Sequence, residues 1–324
     1  MKHVIAVFAA TWTCLCFWLC MPGARAGDVV GYSVVKGQFF LQTAPNVVFS
    51  DVDFAYSLQV WVGLADFNRL RAGSFSPPGG RVQMLDDLGD HWGALEVRRT
   101  FESLNSDFGW GAYTINFETV NDGSFSCALQ LPESPFPPVP RLTNFGDVQA
   151  VDATRPLAVM WEFSQPPQPD DFVQVYVTLG NATIFSTPGL GEVGALDGTS
   201  RSLTIPSGTL KRGFVYGLNL EITRVASVNS ECYPGAGGQA AKFSGTGMDL
   251  TTILPPQLRL LSRPANRLIS LEVLAEPNAT VVLQGSEDLM RWTDRATNSA
   301  PDGTNLFSVS AVAPVMEVFR ARLQ

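Results

Sequence analysis

From residue 29 onward the chain alternates apolar and polar side chains in short runs broken by Gly, Pro, Asn and Asp, a pattern that predicts strands rather than helices. In YSLQVWVGL, Tyr56, Leu58, Val60, Val62 and Leu64 share one face, and Ser57, Gln59, Trp61 and Gly63 share the other. AYTINFETV sets Tyr113, Ile115 and Phe117 against Thr114, Asn116 and Glu118, and NDG at Asn121 supplies a hairpin turn. LAVMWEF points Leu157, Val159, Trp161 and Phe163 to one side. FVQVYVTL does the same with Val173, Val175, Val177 and Leu179, and a later run carries Tyr216, Leu218, Leu220 and Ile222. The expected fold class is all-β, made of tandem antiparallel β-sandwich-like modules.

Three breaks in this pattern divide the chain. Lys2 and His3 are followed by an uncharged apolar run from Val4 to Cys20, then by Met21-Pro22-Gly23 and the small-residue sequence Ala24-Arg25-Ala26. That layout predicts a secretory signal peptide over residues 1–26, cleaved before Gly27. The run is shorter than the roughly 20 apolar residues that cross a bilayer, so no transmembrane span is expected after cleavage. PESPFPPVPRLTN, from Pro132, reads as a linker because repeated prolines favour extended backbone and forbid helix. TTILPPQL, around Pro255 and Pro256, reads as a second. The predicted domains are therefore an N-terminal β-sandwich-like domain over 27–138, a second sandwich over 139–253 and a small C-terminal β module over 254–324.

In the middle stretch, Trp161 lies early on one strand and Tyr216 opens a later one just after TLKRG. This pairing resembles the fibronectin type III pattern, and more broadly the immunoglobulin-like β-sandwich. There such a tryptophan fills the core and such a tyrosine anchors a corner. The STPGLGEVGALDGT insert is long for that family. The C-terminal stretch resembles modules that end secreted multidomain proteins of environmental bacteria. The matching positions include Leu271, Val273, Glu276, Pro277, Gly285, Ser286, Asp288, Leu289, Trp292 and Thr293, then Pro301, Asp302 and Gly303, and finally Phe319, Arg320 and Leu323. This likeness implies a secreted or cell-surface architecture and brings no catalytic residue with it. Within GSEDLMRWTD, Ser286 and Asp288 read as turn residues, and Trp292 with Phe307 and Phe319 as the core of a small domain.

Charge and chemistry narrow the function. The leader carries Lys2 and Arg25 and no acid, which leaves 20 basic against 30 acidic residues, a net −10. Such a chain repels phosphate backbones, so no nucleic-acid partner is expected. Cys127 and Cys232 alone remain beyond the leader. Cys127 falls on the apolar face with Phe125, Leu129 and Leu131 and is expected to be a small buried thiol rather than half of a bridge. Paired Cys/His spacings are absent, so no zinc site is expected. His91, in DDLGDHW, is the one histidine after the leader and reads as a solvated loop residue, with no G-x-S-x-G elbow to complete a triad.

Calcium is the cation best suited to an acidic exported chain. Yet Asp51 and Asp53, Asp86, Asp87 and Asp90, and Asp170 and Asp171 follow no calcium-loop spacing and suit turns instead. No cofactor is expected. Glu96, Glu118, Glu162 and Glu221 are candidates for a glycosidase carboxylate pair, although each occupies an outward strand position. Trp61 beside Gln59, and Trp110 in DFGWGAY, are the candidate sugar platforms. NAT at Asn181 and Asn278 reads as turn asparagine. The leading expectation is a non-catalytic exported protein with a structural or adhesive role at the cell surface, partnered by other surface proteins. The alternatives are an extracellular polysaccharide-binding protein and a secreted glycoside hydrolase.

Overall fold

The computed structural model describes residues 27–253, 256–262, 268–276, 278–310 and 318–324. Ala24, Ala26 and the rest of the expected export segment therefore lie outside the described residues, and Gly27 is the first of them. The fold is all-β. The α-helix among the described residues is Phe101–Asp107, whose first turn is capped by Thr100 accepting from the Ser103 amide. No helix among them is long and apolar enough to cross a membrane.

The chain separates into two compact units. The first holds residues 27–149, 156–209 and 215–250. Its frame is a ten-stranded sheet. The main path of that sheet runs Ala182–Ser186, Phe172–Leu179, Val215–Tyr233, Ala236–Thr251, Val29–Ala44, Tyr56–Leu64, His91–Arg98, Asp86–Asp87. The strand that opens the described chain, Val29–Ala44, pairs in parallel with Ala236–Thr251, from Tyr32 opposite Gly238 to Leu41 opposite Gly247. This close pairing explains the small residues of AGGQAA. The Tyr32 ring lies across Gly238, where a Cβ would fall 1.9 Å from it.

A four-stranded sheet, ordered Gln83–Met84, Leu70–Ser76, Gly111–Thr119, Ser124–Leu131, shares one core with the large sheet. Alternation supplies that core: Tyr32, Val34, Leu58, Val60 and Val62 from one side, Phe75, Tyr113, Ile115, Phe117, Cys127 and Leu129 from the other. Each fully buried aliphatic side chain contributes about 1.5–3 kcal/mol. A three-stranded sheet of Pro140–Leu142, Leu157–Phe163 and Ser202–Ile205 carries buried Leu142, Val159 and Trp161. Val175, Val177, Tyr216, Leu218, Leu220 and Ile222 are buried on the large sheet. On the face of the large sheet opposite the Tyr32 core, Val35, Phe39, Ala241 and Phe243 form a second small cluster.

The boundary expected near residue 138 does not divide the structure, because strands from both sides of it build the same sheet. The proline-rich stretch is not a free linker either. Lys242, Ser244 and Thr246, at alternate positions of one strand, donate to the carbonyls of Ser134, Pro137 and Pro140, at 2.9, 2.5 and 2.7 Å. Prolines lack an amide donor but keep a carbonyl acceptor, so the stretch docks through its oxygens.

The second unit holds residues 150–155, 210–214 and 251–324. Two three-stranded sheets, Gln257–Ser262 with Leu268–Leu274 and Thr304–Ser310, and Thr293–Ser299 with Thr280–Ser286 and Val318–Leu323, make its body. Leu271, Val273, Val281, Leu283 and Phe307 are its core, with Phe319 packed against them. Trp292 is not in that core. It is half-buried at the surface, with its indole N–H donating to the Leu289 carbonyl at 3.2 Å.

Candidate functional site

The densest chemistry among the described residues is a corner built around Trp110. Lys36 and Lys242 sit opposite each other on the parallel strand pair, and both are fully buried. The Lys36 ammonium lies 3.8 Å from the centre of the Trp110 ring and the Lys242 ammonium 5.4 Å. Lys36 donates to Asn105 Oδ1 at 3.1 Å and to the Gly109 carbonyl at 3.3 Å, and Lys242 donates to the Ser134 carbonyl and hydroxyl. Burial pushes the Lys36 ammonium down to about 8, helped by the charge of Lys242. Burial likewise pushes Lys242 down to about 8, helped by Arg224. Both cations are held by neutral oxygens and an aromatic face, an arrangement that keeps charge by hydrogen bonding and cation–π attraction. Phe101 and Phe136 close the corner, with ring centres 5.9 and 6.3 Å from Trp110. Trp110, half-buried like Trp61, thus packs against the core with its ring engaged by Lys36.

Trp61 is placed differently. It shares a strand face with Gln59, away from the Tyr32 core, and is half-buried. Its indole lies against Gly63, where a Cβ would fall 2.0 Å from the ring, and reaches Gly31. The structure thus sets Trp61 and Trp110 on opposite faces of the large sheet and does not bring them to one site. His91 is not a loop residue: it opens the strand His91–Arg98, is buried, and has its Nδ1 2.6 Å from Asp90. An open cleft of about 370 Å³ on the four-stranded sheet is lined by Ser74, Met84, Asn116, Glu118, Ser124 and Ser126.

The candidate carboxylates are engaged elsewhere. Glu96 pairs with Arg98 at 3.0 Å, Glu118 with Arg71 at 3.4 Å, and Glu162 with Arg141. Glu221 departs from its expected outward, solvated position. It is buried and accepts a hydrogen bond from the Tyr176 hydroxyl, and burial pushes its carboxyl up to about 7 against that bond. The turn aspartates bond backbone or arginine: Asp51 accepts from the amides of Asp53 and Phe54, Asp87 from Gly89, and Asp171 receives a two-pronged Arg224 contact at 2.7 and 2.7 Å. Among the described residues no group of three or more His, Cys, Asp or Glu is placed to hold a metal ion.

Cys127 and Cys232 form a disulfide, against the expectation of a free buried thiol; their Cα atoms are 5.6 Å apart across 105 residues of sequence. The bond ties the Ser124–Leu131 strand to the far end of Val215–Tyr233. Side chains fasten the same seam. Ser227 both donates to the Gln130 carbonyl and accepts from its amide, and Asn229 donates to the Ala128 carbonyl.

No protein-family model matches the chain, and no curated protein does. Among solved structures it is similar to the FN1–FN3 domains of chicken CNTN1, at 8% identity and a TM-score of 0.23, over 90% of this chain and 93% of that one. It is similar also to a tetra-tandem repeat from the extending region of a large adhesion protein, at 12% identity and a TM-score of 0.18, over 90% and 74% of the two chains. A third match is to fibronectin(III)-like modules of Clostridium thermocellum CbhA, at 9% identity and a TM-score of 0.20, over 68% and 94%. All three TM-scores are low, and the function rests on the residues themselves.

Proposed function

We propose that this chain is a non-catalytic scaffold that works outside the cytoplasm in a structural or adhesive role. The observation that carries the reading is the Cys127–Cys232 disulfide, which staples two sheets of one continuous unit. Disulfides of this structural kind persist in oxidising compartments and are rare in reducing ones. The chemistry around it is of a piece with a scaffold. The buried lysines bond backbone and amide oxygens, and the strand glutamates bond arginine or tyrosine. The test is to probe intact cells with an impermeant protease and to map thiols in the recovered protein by mass spectrometry. The expected result is a surface-accessible chain, starting at Gly27, with Cys127 and Cys232 linked. A protein confined to the cytosol with both cysteines free contradicts the reading.

A second reading, binding of extracellular polysaccharide, is favoured by one feature. Trp61 sets its indole against glycine with Gln59 on the same strand face. A sugar ring can stack on such an indole, and Gln59 can bond its hydroxyls. On a glycan array the wild type then gives signals that Trp61→Ala removes, while thermal melting of the variant stays close to wild type.

A further inference from the structure

Gly27 and Asp28, which open the described chain, are set into a cluster drawn from three distant parts of the sequence. Asp28 is buried, 4% exposed. Its Oδ2 accepts from the Asn121 amide and its Oδ1 from the Asn121 side chain, both at 2.7 Å, and Arg69 stands 3.6 Å from it. The Asp28 amide donates to Asp122 Oδ2 at 2.8 Å. The Tyr233 hydroxyl donates to the same Asp122 oxygen and accepts from the Val29 amide at 3.2 Å. The bond from Tyr233, and then that from Asp28, hold the Asp122 carboxyl below its usual range. Gly27 itself lies against Tyr233. A Cβ at residue 27 would collide with the phenol hydroxyl, which its two hydrogen bonds keep in place.

The charges of this cluster do not balance. Asp28, Asp66 and Asp122 face one arginine, Arg69, which pairs with Asp28 and with Asp66 at 3.5 Å. Asp122 has no ion pair of its own among the described residues. The nitrogen of Gly27 is one residue away from the amide that Asp122 already holds, within about 4 Å of it by covalent geometry. As part of the Ala26–Gly27 peptide bond that nitrogen is neutral. Hydrolysis of the bond consumes one water and leaves a carboxylate on Ala26 and an ammonium on Gly27. The new ammonium is a cation with donors to spare, formed beside a carboxylate that lacks one.

We propose, on the start at Gly27 that the export reading carries, that leader removal completes this cluster: the Gly27 α-ammonium pairs with Asp122 and fastens the first strand to the 119–123 turn and to Tyr233. The test compares the chain 27–324, cut from a fusion in vitro so that Gly27 is free, with the chain 24–324, where the same nitrogen stays a peptide amide. The ¹³Cα signal of Gly27 is followed through pH, and both chains are melted. The amine is expected to hold its proton about tenfold more tightly than an ordinary α-amine of about 7.7–8.0, because Asp28, Asp66 and Asp122 outweigh Arg69. A fold that raises this affinity is stabilised below the unfolded value and loses the gain as pH rises through the folded one. The 27–324 chain should therefore melt above 24–324 at about pH 7, with the gap closing by about pH 10. Asp122→Asn should return the amine to the ordinary range, a result that holds even where the variant melts lower. An amine in the ordinary range in the wild type, one that Asp122→Asn leaves raised, or equal melts of the two chains at neutral pH overturns the proposal. Failure of the export reading shows separately, as a cell-derived chain that begins at another residue.

Discussion

Glu221 is a residue whose protonation folding controls. Its carboxyl stands at about 7 in the fold because burial disfavours the charge, against about 4.3 in an unfolded chain. Between those values the folded state holds a proton that the unfolded state has released. The unfolded state therefore binds fewer protons, and stability falls as pH rises from about 4.5 to 7. Glu221→Gln removes this slope. In urea melts the variant should gain on the order of 2 kcal/mol relative to wild type between pH 5 and pH 8. A constant difference between the two proteins across that range would contradict a buried, protonated Glu221. Parity along the strand marks Glu221 as facing the side opposite Leu220 and Ile222, and this was legible. That the face is closed off was not, since alternation reports a side chain's direction and not what stands over it. The two tryptophans divide in the same way. Trp61 shares a face with Gln59 by simple alternation, whereas Trp110 precedes its strand, and its environment is set by Lys36 and Phe136, distant in sequence.

Among elements, the strands themselves were the most readable part, because period-two patterning is local. What the pattern does not carry is which strand lies beside which. Cys127 sits on the inward face with Leu129 and Leu131, as its phase requires. Its partner lies 105 residues away on a 19-residue strand, and no short-range signal links them. The proline-rich stretch misled for a related reason. Its composition speaks for extended backbone, and extended backbone serves a linker and a docked segment equally. The ladder from Lys242, Ser244 and Thr246 decides between them. The disulfide closes a long loop, for which loss of chain entropy in the unfolded state predicts a stabilisation of about 4–5 kcal/mol. Replacing both cysteines with alanine should lower the unfolding free energy by about that much, measured by denaturant titration under oxidising conditions. Under reducing conditions wild type and variant should converge. A variant within about 0.5 kcal/mol of the oxidised wild type would mean that the bond crosses a seam already fixed by Ser227 and Asn229.

At the scale of the molecule, the parallel pairing of Val29–Ala44 with Ala236–Thr251 joins strands nearly 200 residues apart in sequence, with Tyr32 opposite Gly238. Contacts of such sequence separation have no local signature, which is why a composition break at residue 138 looked like a boundary. In the fold, residues 27–138 complete the four-stranded sheet by themselves but supply only part of the large one. Their opening strand is completed by the strand Ala236–Thr251, and their core includes Tyr233, Ala236 and Ala240. An isolated 27–138 fragment would expose the edge of Val29–Ala44 and the apolar side chains that Tyr233 and Ala240 cover, a combination that favours aggregation over folding. The measurement that bears most directly on the single stapled scaffold is a pair of amide ¹H–¹⁵N spectra, of residues 27–138 and of residues 27–253, both prepared oxidised. A dispersed spectrum and a cooperative melt for 27–253, with a collapsed spectrum for 27–138, are the predicted outcome. A well-dispersed, cooperatively melting 27–138 fragment would show an independent domain and contradict the shared sheet.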